Sequence, residues 1–170
     1  ALAMMEQIQG STLPIVLDAD AINILSTHRN WLSRIPKRSI LTPHLGELER
    51  LIGKCMDTYE RLTKVKELAA YLQSYIIVKG AWTTIVTPEG NFYFNPTGNP
   101  GMATGGSGDV LTGILLGLLA QGYSREEACK LGVYIHGLAG DIAAEEKTQM
   151  GMTAADIIEA LPAAWKKLTL

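Results

Sequence analysis

Residues 99–109 read Asn-Pro-Gly-Met-Ala-Thr-Gly-Gly-Ser-Gly-Asp, and an apolar segment, Val110–Ala120, follows them directly. The glycines Gly105, Gly106 and Gly108 allow the backbone to turn several amide groups toward one point, because no Cβ hinders a positive φ or a close approach. The apolar segment predicts a helix, whose N-terminus adds unpaired N–H groups and the positive end of its dipole. The glycine loop and the helix start together predict an anion site, best suited to phosphate.

Asp109 lies in the first turn of this predicted helix, where a carboxylate is able to receive a proton from an alcohol that attacks a phosphate. A bare glycine loop is more often a simple turn, and an Asp in a first turn often only offsets the helix dipole. The polar residues Thr104, Ser107 and Asp109 around the glycines favour phosphoryl transfer over a simple turn. The loop is not a Walker loop, since no Lys-Ser or Lys-Thr pair follows the glycines.

The composition excludes several classes of protein. At 170 residues the chain is long enough for one domain with its own core, which we predict over residues 1–170. A net charge of −2 without a basic patch predicts no nucleic-acid partner, and no run reaches the ~20 apolar residues of a membrane span. Cys55 and Cys129 lack metal-ligand spacing and favour free thiols in a reducing cytoplasm. The first residues, Ala1–Glu6, look like the middle of a helix, so we expect a fragment of a longer protein.

Short apolar strands alternate with helical segments, which predicts a layered α/β fold. We predict strands at Ile15–Leu17, Ser39–Leu41, Tyr75–Val78, Thr84–Val86 and Asn91–Phe94, the last two forming a hairpin around Pro88-Glu89-Gly90. We predict helices at Leu45–Ile52, 59–73 and Val110–Ala120, a long one opened by a capping box of Ser124 and Glu127, and a last one from Thr153 and Asp156 to about Leu168. Gly113 and Gly117 predict close packing of the apolar helix.

In open α/β sheets, ligands bind beyond the carboxyl ends of the strands. Polar residues that carry chemistry collect where the predicted strands end: Asp18 and Asp20, His44 and Glu47, Lys79, and the glycine loop. Each has a simpler explanation when taken alone, since a His after a strand is usually a hydrogen-bonded surface residue and Glu47 opens a helix where capping favours a carboxylate. Their expected convergence on one sheet edge favours a functional site.

Five motifs occur in a familiar order. They are Leu-Asp-Ala-Asp-Ala-Ile-Asn (17–23), Leu-Thr-Pro-His-Leu-Gly-Glu (41–47), Val-Lys-Gly-Ala (78–81), the glycine string extended to Leu111 (99–111), and Tyr-Ile-His-Gly-Leu-Ala-Gly-Asp (134–141). Together they resemble the ADP/ATP-dependent NAD(P)H-hydrate dehydratase family, a branch of the ribokinase-like fold whose members are often labelled carbohydrate kinases. The resemblance covers essentially the whole chain. It implies a layered α/β/α sandwich with a mostly parallel central sheet, here without the N-terminal portion that family members carry.

The resemblance implies an enzyme that repairs hydrated NADH or NADPH. The terminal phosphoryl group of ADP or ATP passes, with Mg²⁺, to the hydroxyl on the nicotinamide ring; phosphate then leaves and the double bond returns. Which nucleotide is the donor stays open. The resemblance also implies a cytoplasmic homo-oligomer, often a tetramer, and many relatives are fused to an epimerase.

The same resemblance assigns roles to residues at matching motif positions. Asp109 is similar to the base that takes the hydroxyl proton and contacts the hydrate. The amides of the loop resemble an anion hole for the transferring phosphoryl group: Gly105, Gly106, Ser107 and Gly108. The nucleotide-binding positions are Lys79, Gly80, Ala81, Trp82 and Thr83, together with Gly108. The remaining assignments are His44, Asp20 and Asn23 for the substrate, and Glu47 for Mg²⁺ through water.

Two other functions remain open at this point. A ribokinase-like small-molecule kinase would use the same loop and base but release a stable phosphoester, and a nucleotide-binding module would bind without turnover. The motif Pro43–Glu47 favours the dehydratase. We expect His136 to be a packed, hydrogen-bonded histidine and not a catalytic one, and Met102 to pack over the glycine loop.

Overall fold

A computed structural model of the protein describes residues 2–11 and 15–169, so Ala1 and Pro14 lie outside the described residues. Its elements, in chain order, are α1 (Leu2–Gly10), β1 (Val16–Leu17), α2 (Ala19–Thr27), a 3₁₀ segment (Arg29–Arg34), β2 (Ile40–Leu41), α3 (Leu45–Ile52), α4 (Thr58–Leu72), β3 (Tyr75–Val78), β4 (Thr84–Val86), β5 (Phe92–Phe94), a second 3₁₀ segment (Pro100–Met102), α5 (Ser107–Ala120), α6 (Arg125–Gly151) and α7 (Ala154–Leu168).

The chain divides into two compact units, each with its own core. The first comprises Ala1–Gly80 and Thr84–Tyr93, and the second comprises Ala81–Thr83 and Phe94–Leu170. The prediction of one domain over the chain stays a prediction. No helix among residues 2–11 and 15–169 combines the length and the hydropathy that a membrane crossing requires.

The first unit is built on a five-stranded sheet in the order β1-β2-β3-β4-β5. β1, β2 and β3 are parallel, with Val16 opposite Ile40 and Ile40 opposite Tyr75. β4 runs antiparallel to β3, and β4 and β5 are neighbours around a turn in which Gly90 has φ +84°. The predicted strands and their hairpin are therefore confirmed to within one residue at each end.

Within the described ranges, helix α2 is the one helix of the first unit that is not predicted from the sequence. Its β-branched, Asn, Ser and Thr residues are weak helix formers, so local propensity does not predict it. It forms because Ile22 and Leu25 are fully buried in a cluster that also holds Trp31 and Leu41. Tertiary packing overrides propensity here.

The second unit packs α5, α6 and α7 around a core that includes Val110, Ile135, Ala139 and Ile157. The capping boxes that the sequence predicts are both present: Ser124 with Glu127 at the start of α6, and Thr153 with Asp156 at the start of α7. Both cysteines carry free thiols, as expected, and burial raises the pKa of Cys129.

The expectation that Gly113 and Gly117 bring another element close to α5 is wrong for the described part of the chain. Both glycines are exposed, and a Cβ at either would meet no described atom within 4 Å. The glycines that do allow close packing lie on α6. Gly137 faces Thr97, and Gly140 faces the side chain of Met102.

We expect Gly137→Ala to lower the free energy of unfolding by about 1–3 kcal/mol, as overpacking does. A Cβ there would overlap the Thr97 hydroxyl and lie 2.7 Å from the Thr97 carbonyl carbon, which moves only if the whole loop moves. Gly113→Ala, on the open surface of α5, should stabilise by about 0.5–1 kcal/mol. Urea denaturation measures both changes, and an unaltered midpoint for Gly137→Ala would contradict this account.

Candidate functional site

The carboxyl ends of β1, β2 and β3 lie at the same edge of the sheet, and the predicted polar residues meet there. Asp18 directly follows β1, His44 follows β2, and Lys79 follows β3. The backbone N–H of Lys79 donates to the carbonyl of Pro43 at 2.8 Å, and His44 pairs with Lys79 as an isolated parallel bridge. The sheet therefore brings these three strand exits together, as the sequence predicts.

Asp18 and Lys79 form a largely buried ion pair at this edge. The distance from Lys79 Nζ to Asp18 Oδ1 is 2.6 Å, and their side chains are 21% and 10% exposed, respectively. Burial alone would raise the pKa of Asp18. The hydrogen bond and charge of Lys79, with help from the Ala19 N–H and the Thr42 hydroxyl, outweigh burial and hold this pKa below its usual value of 3.8. Asp18 is therefore a carboxylate at neutral pH, and Lys79 is held by it.

We expect Lys79→Met to lower the free energy of unfolding by about 2 kcal/mol at pH 7, because it leaves a buried carboxylate without its charged partner. A depressed folded-state pKa adds stability above the unfolded-state pKa, and this stability is lost as pH falls through the folded value. The difference between the two proteins should therefore shrink as pH falls below 3.8 and disappear once pH passes below the lowered pKa of Asp18 in the folded protein.

Urea denaturation at a series of pH values checks this expectation. Lys64→Met is the matched control, because Lys64 pairs with Glu60 at 2.7 Å on the exposed surface of α4, where an ion pair contributes little. A Lys79→Met penalty that persists unchanged at acidic pH would show that the ion pair is not its source.

His44 and Glu47 cap the start of α3. His44 Nδ1 accepts from the backbone N–H of Gly46 at 3.0 Å and of Glu47 at 3.4 Å, while Glu47 Oε2 accepts from the His44 N–H at 2.9 Å. Because Nδ1 accepts, the remaining ring nitrogen, Nε2, carries the proton in the neutral ring. The His44 side chain is 54% exposed and that of Glu47 is 5% exposed. The capping explanation for Glu47 is thus confirmed, and the second ring nitrogen, Nε2, lies 3.5 Å from Glu47 Oε1.

The other two substrate candidates lie on α2. Asp20 is exposed in its first turn, and Asn23 Oδ1 accepts from Arg50 Nη1 at 2.6 Å. The sequence offered no reason to single out Arg50, since an exposed Arg at the end of a helix is common. The one sequence feature that points to Arg50 is its position three residues after Glu47, on the helix that contains both.

The predicted nucleotide segment, residues 79–83, runs from the end of β3 to the start of β4. Trp82 has a left-handed φ of +57° and is 69% exposed. The carbonyl of Thr83 accepts from the backbone N–H of Asn95 at 2.9 Å. An exposed indole held in a turn offers a stacking face for a planar group such as a nucleobase.

The glycine loop of the second unit leaves amide groups without partners. Gly106 has φ +87° as the N-cap of α5, and the helix begins at Ser107, three residues before the predicted start. The N–H of Ser107 donates to Thr104 at 3.3 Å. Within this loop, the backbone amides of Gly105, Gly106, Gly108 and Asp109 have no hydrogen-bond acceptor among the described residues. Four unpaired donors around a helix N-terminus are the arrangement that suits an anion.

Of the four amides in the predicted anion hole, those of Gly105, Gly106 and Gly108 are unpaired. The amide of Ser107 donates to Thr104, whereas the amide of Asp109, which was not among the predicted four, is unpaired. A Cβ at Gly105 would meet no described atom within 4 Å. The protein's own packing therefore does not require a glycine there, whereas the close approach of a phosphate would.

Asp109 and Ser107 differ sharply in their surroundings. Asp109 is exposed in the first turn of α5, while Ser107 is buried. Ser107 Oγ lies 3.3 Å from His136 Nε2, so His136 is hydrogen-bonded and half-buried, as expected. Met102 packs against α6 at Gly140. The contact between His136 and Ser107 was not predicted from the sequence.

The segment that leads into the loop is anchored to α6. The Asp141 carboxylate accepts from the Gly98 N–H at 2.9 Å and from Asn99 Nδ2 at 3.0 Å. Asn99 Oδ1 in turn accepts from the Gly101 N–H at 3.0 Å, which caps the second 3₁₀ segment. These bonds hold the entry to the glycine loop.

The described residues contain no group of three or more His, Cys, Asp or Glu side chains arranged to hold a metal ion. Mg²⁺ usually keeps several waters and is bound by one or two carboxylates together with substrate phosphates. A single buried carboxylate, that of Glu47, fits such a shared site. It does not fit an all-protein cage, since Oε2 already accepts from the backbone N–H of His44.

Comparison with known proteins identifies relatives across nearly the whole chain. A family profile described as NAD(P)H-hydrate dehydratase matches residues 1–163. A bifunctional NAD(P)H-hydrate repair enzyme of Thermofilum pendens is 44% identical over 157 residues, which are 91% of this chain and 30% of the relative. The chain therefore spans less than a third of that relative's length.

Two solved structures are similar to this fold. The Bacillus subtilis ADP/ATP-dependent NAD(P)H-hydrate dehydratase, co-crystallised with ATP and Mg²⁺, aligns with a TM-score of 0.79 and 35% identity over 95% of this chain and 57% of that one. A ribokinase-like superfamily protein from Enterococcus faecalis aligns with a TM-score of 0.82 and 33% identity, over 97% and 57% of the two chains. These likenesses confirm the ribokinase-like fold class that the sequence predicts.

Proposed function

Because the chain belongs to the NAD(P)H-hydrate dehydratase family, we propose that it carries out the nucleotide-dependent dehydration of hydrated NADH or NADPH. In this reaction the terminal phosphoryl group of ADP or ATP passes to the hydroxyl on the hydrated ring. Loss of phosphate, together with a proton from the neighbouring ring carbon, then restores the ring double bond and the reduced nicotinamide. The first half of the reaction is that of a kinase, and the whole is that of a lyase.

One observation carries the proposal: unpaired amides surround a helix N-terminus whose first turn presents an exposed carboxylate. The amides of Gly105, Gly106, Gly108 and Asp109 lack acceptors among the described residues, and the Asp109 side chain is exposed. Phosphoryl transfer needs donors aimed at the equatorial oxygens and a base for the attacking hydroxyl. The glycine loop is proposed to supply the donors, and Asp109 is proposed to supply the base.

Asp109 acts as the base in this proposal. Its carboxylate takes the proton of the ring hydroxyl while the hydroxyl oxygen attacks the phosphoryl group, and the Asp109 side chain also contacts the hydrate. The amides of Gly105, Gly106 and Gly108 stabilise the negative charge that spreads over the transferring group. The amide of Ser107 is proposed to share its hydrogen between the Thr104 carbonyl and the transferring group.

The segment Lys79-Gly80-Ala81-Trp82-Thr83 is proposed to hold the nucleotide, together with the amide of Gly108. The exposed indole of Trp82 supports this role, because every nucleobase has a face for stacking. Lys79, a cation fixed by Asp18, supplies positive charge at the beginning of the segment. Glu47 is proposed to orient Mg²⁺ through a water, and Mg²⁺ supplies neutralisation of the phosphate charge when bound.

His44, Asp20 and Asn23 are proposed to contact the dinucleotide substrate. The imidazole of His44 is half exposed, and its Nε2–H is a donor suited to a substrate oxygen, because Nδ1 is occupied by the cap of α3. Asn23 is held by Arg50, which leaves its amide group, a hydrogen-bond donor, to the substrate. Asp20 offers an exposed carboxylate to ribose hydroxyls.

We further propose that the intact protein is cytoplasmic and homo-oligomeric, with a tetramer as the expected state. The Thermofilum pendens relative is bifunctional, which supports a fused epimerase in the intact protein.

Incubation of the intact protein with hydrated NADH, Mg²⁺ and either ADP or ATP tests the function. Recovery of the reduced-nicotinamide absorbance that depends on one nucleotide would establish the repair reaction and identify the donor. Consumption of nucleotide on another alcohol without such recovery would instead establish a small-molecule kinase. Bound nucleotide with neither reaction would leave a nucleotide-binding module.

A further inference from the structure

A short stretch of α6, residues 136–141, contacts the segment that contains the glycine loop at two points. At the far end of this stretch, the Asp141 carboxylate accepts from the Gly98 N–H and from the Asn99 side chain, at 2.9 and 3.0 Å. At the near end, His136 Nε2 lies 3.3 Å from Ser107 Oγ. Less than two turns of one helix therefore contact both the entry of the loop and Ser107, which directly precedes the unpaired amides of Gly108 and Asp109.

Two hydrogen bonds hold Ser107 in place within the glycine loop. Its amide donates to Thr104 at 3.3 Å and its hydroxyl bonds His136. The unpaired amides lie on either side of it, at Gly105 and Gly106 before it and at Gly108 and Asp109 after it. The direction of those amides depends on the orientation of Ser107, because they are joined to it through consecutive planar peptide groups.

The Ser107 side chain is nearly inaccessible to solvent, since the residue is only 6% exposed. A buried hydroxyl without a partner is costly, so the bond to His136 selects the rotamer in which Oγ reaches Nε2. Gly108, the next residue of the helix, has no side chain with which to make such a bond. The other two residues in the first turn of α5 are Asp109 and Val110. Of these, Asp109 is exposed and Val110 packs in the core of the unit.

We propose that His136 is a positioning residue for phosphoryl transfer: through Ser107 it sets the direction of the loop amides and the place of Asp109. This inference rests on the proposed function. In this proposal His136 contacts neither the nucleotide nor the hydrate. A substitution of His136 therefore changes how the loop amides align with the transferring phosphoryl group. Misaligned donors weaken stabilisation of the transition state more than binding of the ground state.

His136→Leu tests the proposal in the intact protein, with NADH recovery from hydrated NADH as the assay. We expect kcat to fall roughly tenfold, the scale of one lost hydrogen bond, while KM for the nucleotide changes less. His136→Gln places a side-chain amide near the position of Nε2, so it should restore most of kcat. Glu145→Gln, at an exposed position of the same helix, is the matched control.

A double-mutant cycle separates positioning through Ser107 from a general loss of packing. Ser107→Ala should lower kcat by a similar factor, and His136→Leu added to Ser107→Ala should cause little further loss. Additive effects, or a His136→Leu protein with normal kcat and a lower melting temperature, would overturn the positioning role. A wild-type protein that never restores NADH would instead overturn the proposed function, and the inference with it.

Discussion

Asp109→Asn is expected to lower turnover by about 10³-fold, within the 10²–10⁴ range of a lost general base. The amide keeps the size of the carboxylate but cannot accept the hydroxyl proton. Nucleotide affinity should stay the same or rise slightly, because a negative charge next to the phosphates is removed. Steady-state NADH recovery measures the first quantity, and equilibrium nucleotide binding measures the second.

The matched control is Asp156→Asn, which makes the same change in the first turn of another helix of the same unit. Asp156 caps α7 by accepting from Thr153 at 2.7 Å, so we expect this variant to lose some stability and no catalytic rate. Comparable turnover losses in the two variants would show that Asp109 acts only through the helix dipole. Undiminished turnover in Asp109→Asn would exclude it as the base.

Gly105→Ala is expected to lower turnover by about 10²–10³-fold, because the methyl group keeps a phosphoryl oxygen away from the amide, with the effect of losing one donor of an anion hole. Gly105 suits this test because a Cβ there meets no described atom within 4 Å and its φ is not positive. The substituted protein should therefore fold normally, and the methyl group should interfere only with a ligand that approaches the amides. Kinetics in the NADH-recovery assay, paired with a melting temperature, measure both properties.

Gly106 would not serve the same purpose. It has φ +87°, and its Cβ would lie 3.2 Å from the Ala154 methyl group, so an alanine there is strained whether or not a ligand binds. Gly113→Ala, on the open surface of α5, is the better control and should leave turnover unchanged. A Gly105→Ala protein with the wild-type rate would show that no phosphoryl oxygen approaches this amide closely.

Much of the candidate site could be predicted from the sequence, because its local structure depends on short-range interactions. The glycine string followed by an apolar run predicted a helix N-terminus with free amides, and the structure has α5 starting there. The boundaries were less predictable: α5 begins at Ser107 and not at Val110, because the first turn uses polar and glycine residues that a search for apolar periodicity does not count.

The residues at which the strands end were also predictable from the sequence, but the contacts between their side chains were not. The parallel order of β1, β2 and β3 brings Asp18 and Lys79 to one edge, as expected. That the two side chains bond each other at 2.6 Å, across 61 residues of chain, is a consequence of the register of three strands. Likewise, the fit of Thr97 against Gly137 depends on a loop and a helix that are distant in sequence.

The sequence by itself determined the class of fold, through the alternation of short strands with helices along the chain. It also determined the capping boxes of α6 and α7 and the position of the glycine loop, since these follow from residues within four positions of one another. Tertiary structure alone decided that α2 is a helix, that Asp18 is a carboxylate held by Lys79, and that His136 holds Ser107 from 29 residues away. The physical reason is that burial and long-range hydrogen bonds depend on which elements pack together, and no local periodicity encodes that pairing.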